Sequence, residues 1–326
     1  MKIHYTLDDS AARIPLSILS VDALWDRAAE LKGAPGVKLV ELTTQHLLNT
    51  GSSLTDELSN YLETGAPSDS DPYALRYCFT NRRQLEDLLR DLRETRPGLV
   101  ALHQVAELFP LTFTEDLHLM LALTAVGCPA FGYVRTFKDS DNEEYNGLVV
   151  NLAQARPHLE DTLGQYSLDL LISVIRHGFF NHEAFLLAYA KYTYVTGRTP
   201  DKPADRLKDA LMSRGIAWHL SYRHHAAFYN HFLQLGEQRL AECVTHFNTA
   251  LAAARRKNPI DEPLEDAQQA HQRELYLDLA GYHVARTVAV AKGDDGLREA
   301  IVNGPDFFIE MYNTLGSPAI KLGKRG

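Results

Sequence analysis

One stretch restricts the fold more than any other: residues 168–194, LDLLISVIRHGFFNHEAFLLAYAKYTY, the most apolar run in the chain. Its length and apolar content predict one long helix, hydrophobic on nearly every side, passing through a domain core. The polar residues within it are ordered. Asp169, Ser173, His177 and Asn181 recur every four residues and would share one narrow stripe of an α-helix. A polar stripe in a buried helix costs free energy unless it meets a partner, a ligand or water. The stripe is therefore the first candidate for a site.

The flanking sequence predicts an α+β chain that is predominantly α-helical. Residues 1–110 read as a mostly helical N-terminal region, with helical apolar spacing over 24–32, 37–49 and 54–62 and an amphipathic helix over 82–95. The character changes over 111–152. Residues 117–123, 130–137 and 147–152 carry the apolar, aromatic and β-branched content of short strands, and an acidic, turn-prone loop occupies 138–146. These strands are expected to form a small sheet beside the long helix. From 166 onward helix dominates again: the central helix at 166–194, then helices over 205–223, 228–256 and 264–292. A last helix over 306–315 is opened by Gly304-Pro305. The expected organisation is thus a helical region, 1–110, followed by a second domain, 111–326, the two forming one continuous unit if no linker intervenes.

Composition narrows the functional classes. A net charge of −9 gives no general attraction to nucleic acid or to an anionic membrane. No run of eighteen apolar residues is present, and residues 1–16 lack a continuous apolar segment of the secretory kind. With only Cys78, Cys128 and Cys243, far apart, a reducing cytoplasm fits best. The basic tail from 321 to 326 reads as solvated. A Gly-rich phosphate loop in a strand–loop–helix setting and a Gly-x-Ser-x-Gly elbow are both missing.

Four segments together carry a resemblance: the sheet segment 132–152, VIRHGFFNHEAF within the long helix, a later RGIA at 214–217, and the closing GYHVARTVAVAKGDDGLREAIVNGPDFFIEMYN. Over roughly residues 110–315 the layout resembles uncharacterised zinc-dependent peptidases of the gluzincin (zincin-like) type. In that family the long helix carries His-Glu-x-x-His. Its two imidazoles and a Glu from a later Glu-Gly-Ile-Ala hold zinc, and the intervening Glu is the general base. The resemblance places His177 at the first ligand, Gly178 at the general base, Asn181 at the second ligand and Arg214 at the third. One position of four keeps its chemistry. Gly takes no proton, Asn is a poor zinc ligand, and Arg is a permanent cation.

The resemblance therefore implies a zincin-like pseudopeptidase with a degenerate site, using no cofactor and binding a peptide or protein partner, with neither nucleic acid nor membrane involved. Within it, Arg214 is expected to fill the metal position by donating to Asp169 or another carboxylate. His177 is expected to bond Asn181 or a backbone carbonyl. The competing expectation is an active metal-dependent peptidase or hydrolase, with zinc held by His177 and non-standard ligands such as His182 or His219. His182-Glu183 looks like a shifted His-Glu pair. On an ideal helix, however, His177 and His182 stand about 140° apart, so a shared metal requires a π-bulge. His224, His225 and His231 lie close downstream as further candidates.

Overall fold

The computed structural model describes residues 1–127, 129–138, 144–223, 226–256, 275–316 and 320–323. The acidic loop at 139–143, the break at 258–263, Cys128, His224 and His225 lie outside the described residues, as do the side chains of Phe228, Tyr229 and His231. The chain is α+β and 69% helical, with one four-stranded sheet. It divides into two compact units, one comprising residues 3–100 and 116–176, the other 1–2, 101–115 and 177–326. The chain crosses between them at 2/3, 100/101, 115/116 and 176/177.

The first unit is built on the sheet. Strands β1 (Lys2–Asp8), β2 (Asp116–Thr124), β3 (Gly132–Lys138) and β4 (Glu144–Asn151) lie in the order β1-β2-β4-β3. β2 runs parallel to β4, with Leu121 opposite Leu148, and β3 returns antiparallel to β4, with Val134 opposite Leu148. The three expected strands are present. β1 corrects the reading of the N-terminus as helical: Ile3, Tyr5 and Leu7 alternate with exposed His4 and Thr6, the period of a half-buried strand. From Leu119 to Thr124 β2 is buried at every position, as a central strand covered on both faces must be.

Helices α1 (Ser10–Ser17) and α3 (Pro35–Leu48) pack on this sheet. The Asp8 carboxylate ties their starts to the end of β1. It accepts from the Ser10 backbone N–H at 2.8 Å and from the Gly36 N–H at 2.8 Å. Helices α2 (Val21–Gly33) and α4 (Leu54–Thr64) start on Ser20 and Ser53, each accepting an orphan backbone N–H. After α5 (Leu75–Thr80), α6 (Arg82–Thr95) turns Leu85, Leu89 and Leu92 inward at helical spacing. Further along the chain are α7 (Gly98–Ala106), α8 (Ala155–Leu163) and α9 (Leu168–Ser173).

The second unit is helical: α10 (His182–Val195), α11 (Pro203–Tyr222), α12 (Ala226–Ala254), α13 (Leu275–Asn303) and α14 (Pro305–Leu315). The expected interruption after residue 292 is at Gly293, where φ is 66° and the helical path of α13 breaks. Pro305 opens α14 at its first turn, where no amide hydrogen is needed. Phe109 and Phe113 join α10 through an aromatic cluster with Phe185 and Tyr192, ring centroids 5.1–5.9 Å apart. Part of the tail, expected to be solvated, is docked instead. Leu322 is 2% exposed, and its backbone N–H and carbonyl bond the Asn313 amide at 2.9 and 2.8 Å.

The contact between α11 and α13 is the most extensive helix pairing among the described residues. Its closest point is Gly215 against Gly281. A Cβ built on Gly215 would stand 2.3 Å from the Gly281 carbonyl, and one on Gly281 would stand 2.3 Å from the Leu211 carbonyl oxygen. Each obstacle is backbone, which cannot rotate aside. Gly281→Ala should therefore cost about 3 kcal/mol, the upper part of the usual overpacking range, measured as a lower urea midpoint. Ala at Gly33, a helical position whose Cβ would meet nothing within 4 Å, should instead leave stability unchanged or raise it by up to about 1 kcal/mol.

Candidate functional site

The helix at 168–194 is present but not as one α-helix. α9 ends at Ser173, a π-helical segment spans Val174–Asn181, and α10 continues from His182. A π turn closes on the fifth residue instead of the fourth, and this one begins only after Ser173. Burial along the expected stripe is graded. Asp169 is exposed, Ser173 and His177 are half-buried, and Asn181 is fully buried. Asp169 and Ser173 belong to the sheet-containing unit, whereas His177 and Asn181 belong to the helical one. The expectation of burial on every side is also corrected. In α10 the buried positions Ala184, Phe185, Ala188, Tyr189 and Tyr192 follow one face, and Tyr194 is 79% exposed.

Within the helical unit the π segment brings His177 and Asn181 together. The Asn181 side-chain nitrogen lies 3.4 Å from His177 Nδ1 and donates to Gln104 Oε1, on α7, at 3.2 Å. Asn181 thus spends its amide hydrogens on neighbouring side chains. Gly178 lies in the same segment and has no group to transfer a proton.

Arg214 precedes Gly215, and Asp278 lies three residues before Gly281, so the glycine crossing sets the two charges side by side. Arg214 Nε donates to one Asp278 carboxylate oxygen at 2.7 Å and Nη2 to the other at 2.9 Å. This is the fork-on-fork geometry in which a guanidinium matches a carboxylate best. The Asp278 side chain is 10% exposed and that of Arg214 31%. The carboxylate that Arg214 meets is Asp278, which the sequence reading did not single out.

An aromatic column adjoins the pair. His182 stands 4.7 Å from the Trp218 ring, Trp218 stacks on Tyr222 at 5.1 Å, and Tyr222 meets Tyr282 edge-on at 6.0 Å. Burial, then the negative charge of Asp278, pushes the Tyr222 phenol well above its ordinary value. The shifted His-Glu pair is formed: His182 Nδ1 lies 2.9 Å from Glu183 Oε1, while Nε2 is buried with no hydrogen-bond partner. His219 is 7% exposed, its ring 6.4 Å from that of Tyr282.

The donor set does not fit the zinc that the resemblance implies. Arg214, which the resemblance places at the third ligand, gives two of its donors to Asp278, and Asn181, which it places at the second, is bonded to Gln104. Among the described residues no group of three or more His, Cys, Asp or Glu side chains is arranged to hold a metal ion. Cys78 and Cys243 are buried free thiols, and burial raises both above the usual thiol range. No helix of the described residues is long and apolar enough to cross a membrane. No protein-family model, curated protein or solved structure matches the chain.

A second charged feature of this unit escaped the sequence reading. Tyr189 donates to Asp209 at 2.6 Å in a cleft of about 390 Å³ that Asp201, Asp205 and Asp306 also line. Burial raises the Asp209 carboxyl above its ordinary value, against the opposing effect of the Tyr189 hydroxyl.

Two outcomes follow. Arg214→Ala leaves the Asp278 carboxylate little exposed and unpaired. It should cost about 2 kcal/mol, discounted from the fully buried case because Arg214 reaches solvent, and lower Tm by several degrees. Replacing both partners together with apolar residues should recover part of that loss. For Asp209 the folded state favours the protonated form. Its stabilising contribution is complete below the ordinary aspartate value of about 4 and is lost as pH rises through the raised value. Asp209→Asn should flatten this part of the stability curve, read as urea midpoints across that interval.

Proposed function

We propose that the chain is a non-catalytic protein on a zincin-like scaffold, in which an ion pair stands where the peptidase would hold its metal. The observation that carries this reading is the two-point Arg214–Asp278 contact at 2.7 and 2.9 Å. A cation in the third-ligand position repels a metal ion. Its charge is matched by a carboxylate from the facing helix, so the polar interior stays neutral without zinc. Asn181, bonded to Gln104 and His177, and Gly178 remove the second ligand and the base. On this reading the scaffold serves recognition, and its partner is a peptide or protein.

A second reading is favoured by the π-helical segment. A metal shared by His177 and His182 requires a π-bulge, and His177 lies in a π-helical segment that ends one residue before His182. The Glu183 contact to His182 Nδ1 resembles the carboxylate that orients a metal-ligating imidazole. Metal analysis separates the two readings. Purified protein should contain no stoichiometric zinc, and any peptide hydrolysis in the preparation should be insensitive to chelators. Zinc at one equivalent, with hydrolysis lost to a chelator and to His182→Ala, would overturn the first reading in favour of the second.

A further inference from the structure

Residues 321–323 are held by two asparagine side chains, one from each of two helices. Asn313 on α14 accepts from the Leu322 N–H at 2.9 Å and donates to the Leu322 carbonyl at 2.8 Å. Asn248 on α12 donates to the Lys321 carbonyl at 3.0 Å and accepts from the Gly323 N–H at 2.8 Å. The two amides thus take up, in chain order, the Lys321 C=O, the Leu322 N–H and C=O, and the Gly323 N–H. These residues lie in neither helix nor strand, so the asparagines supply the partners that a ladder would otherwise give. Bonds of this kind grip a main chain whatever its side chains, and pockets beside them select sequence.

The side chains here add such a selection. Leu322 is 2% exposed and lines a groove with Leu251 of α12 and Ile309 of α14. Gly323 follows with φ at 70°, a left-handed backbone that a β-branched residue rarely adopts. The Lys321 ammonium donates to the Asn313 carbonyl in the last turn of α14, where the helix dipole favours a cation. The pattern the groove accepts is therefore basic, aliphatic, glycine. The segment does not fill it: a cleft of about 270 Å³ stays open beside Leu322 and Gly323. Leu322 lies nine residues from Asn313, and a ligand on so short a tether stands at an effective concentration of about millimolar. A free peptide must compete with that.

We propose that the groove between α12 and α14 is a recognition site for a peptide of this pattern, which residues 321–323 occupy in cis until a partner's segment displaces them. The proposal is independent of the Arg214–Asp278 reading, which metal analysis decides. Two variants of the full chain empty the groove by different means. Leu322→Asp sets a charge against its apolar part, and Gly323→Val opposes the left-handed backbone. Calorimetric titration with the synthetic peptide of residues 319–324, AIKLGK, tests the proposal. The peptide should bind both variants at least about tenfold more tightly than the unaltered chain. Adding Asn313→Ala, which removes two main-chain bonds, should weaken that binding at least about tenfold, as should Asp in place of the peptide's leucine. Cooperative urea unfolding establishes that a variant is folded, and one folded variant suffices for the comparison. No binding to a folded Leu322→Asp or Gly323→Val chain, equal binding to the unaltered chain, or binding indifferent to Asn313→Ala would each overturn the proposal.

Discussion

The helical unit depends on one backbone contact, Gly215 against Gly281. With no side chain on either residue, α11 and α13 approach until main chain meets main chain. Arg214, Trp218, His219, Tyr222, Asp278 and Tyr282 all stand within about two turns of that crossing along one helix or the other. Arg214 and Asp278 are brought into two-point contact because each lies within one turn of a glycine. Trp218 and Tyr222 follow on α11 at four-residue steps, and Tyr282 follows Gly281 on α13, so the aromatic column comes from the same approach. A wider crossing would separate the charges and leave the Asp278 carboxylate, now little exposed, without its guanidinium.

The π segment at Val174–Asn181 acts in a different way. An α-helix would hold residues 169, 173, 177 and 181 to one stripe. Along the segment as folded, Asp169, in α-helix, is solvent-exposed while Asn181, at the end of the π turns, is fully buried and lies against His177. The Asn181 side-chain nitrogen is bonded to Gln104 and His177, whereas its buried carbonyl oxygen has no hydrogen-bond partner, so the cost of burying this amide is met only in part. The chain also passes from one compact unit to the other within this segment, between Arg176 and His177. Its change of period therefore coincides with a change in packing environment.

Much of the fold was legible because it rests on local signals. Leu85, Leu89 and Leu92 mark the inner face of α6, Gly293 and Pro305 punctuate the last helices, and the three later strands carry their apolar and β-branched runs. What the sequence hid was non-local. β1 is short, and its alternation acquires meaning only when β2, more than a hundred residues away, supplies an edge. The π segment contains no proline and only one glycine, so nothing in its composition announces the altered period. At the site, Arg214 was visible as a misplaced cation, but Asp278 and Gln104 were not. Their roles come from a helix crossing and from a segment more than seventy residues away.

On the proposed reading, the Arg214–Asp278 pair takes the place of a metal ion. A divalent ion carries two charges and gathers ligands from several directions, whereas a guanidinium carries one and presents its donors in a single plane. One carboxylate is enough to satisfy that fork, and Asp278 supplies it from the helix already held close by the glycines. The second imidazole and the base then have no charge left to balance. Under this arrangement Asn181 and Gly178 are not damage to be compensated elsewhere but residues consistent with a neutral interior: an amide that bonds its neighbours, and a position with no titratable group. The zinc-free reading needs one ion pair across a close crossing, while the metal reading needs new ligands to converge on His177 and His182.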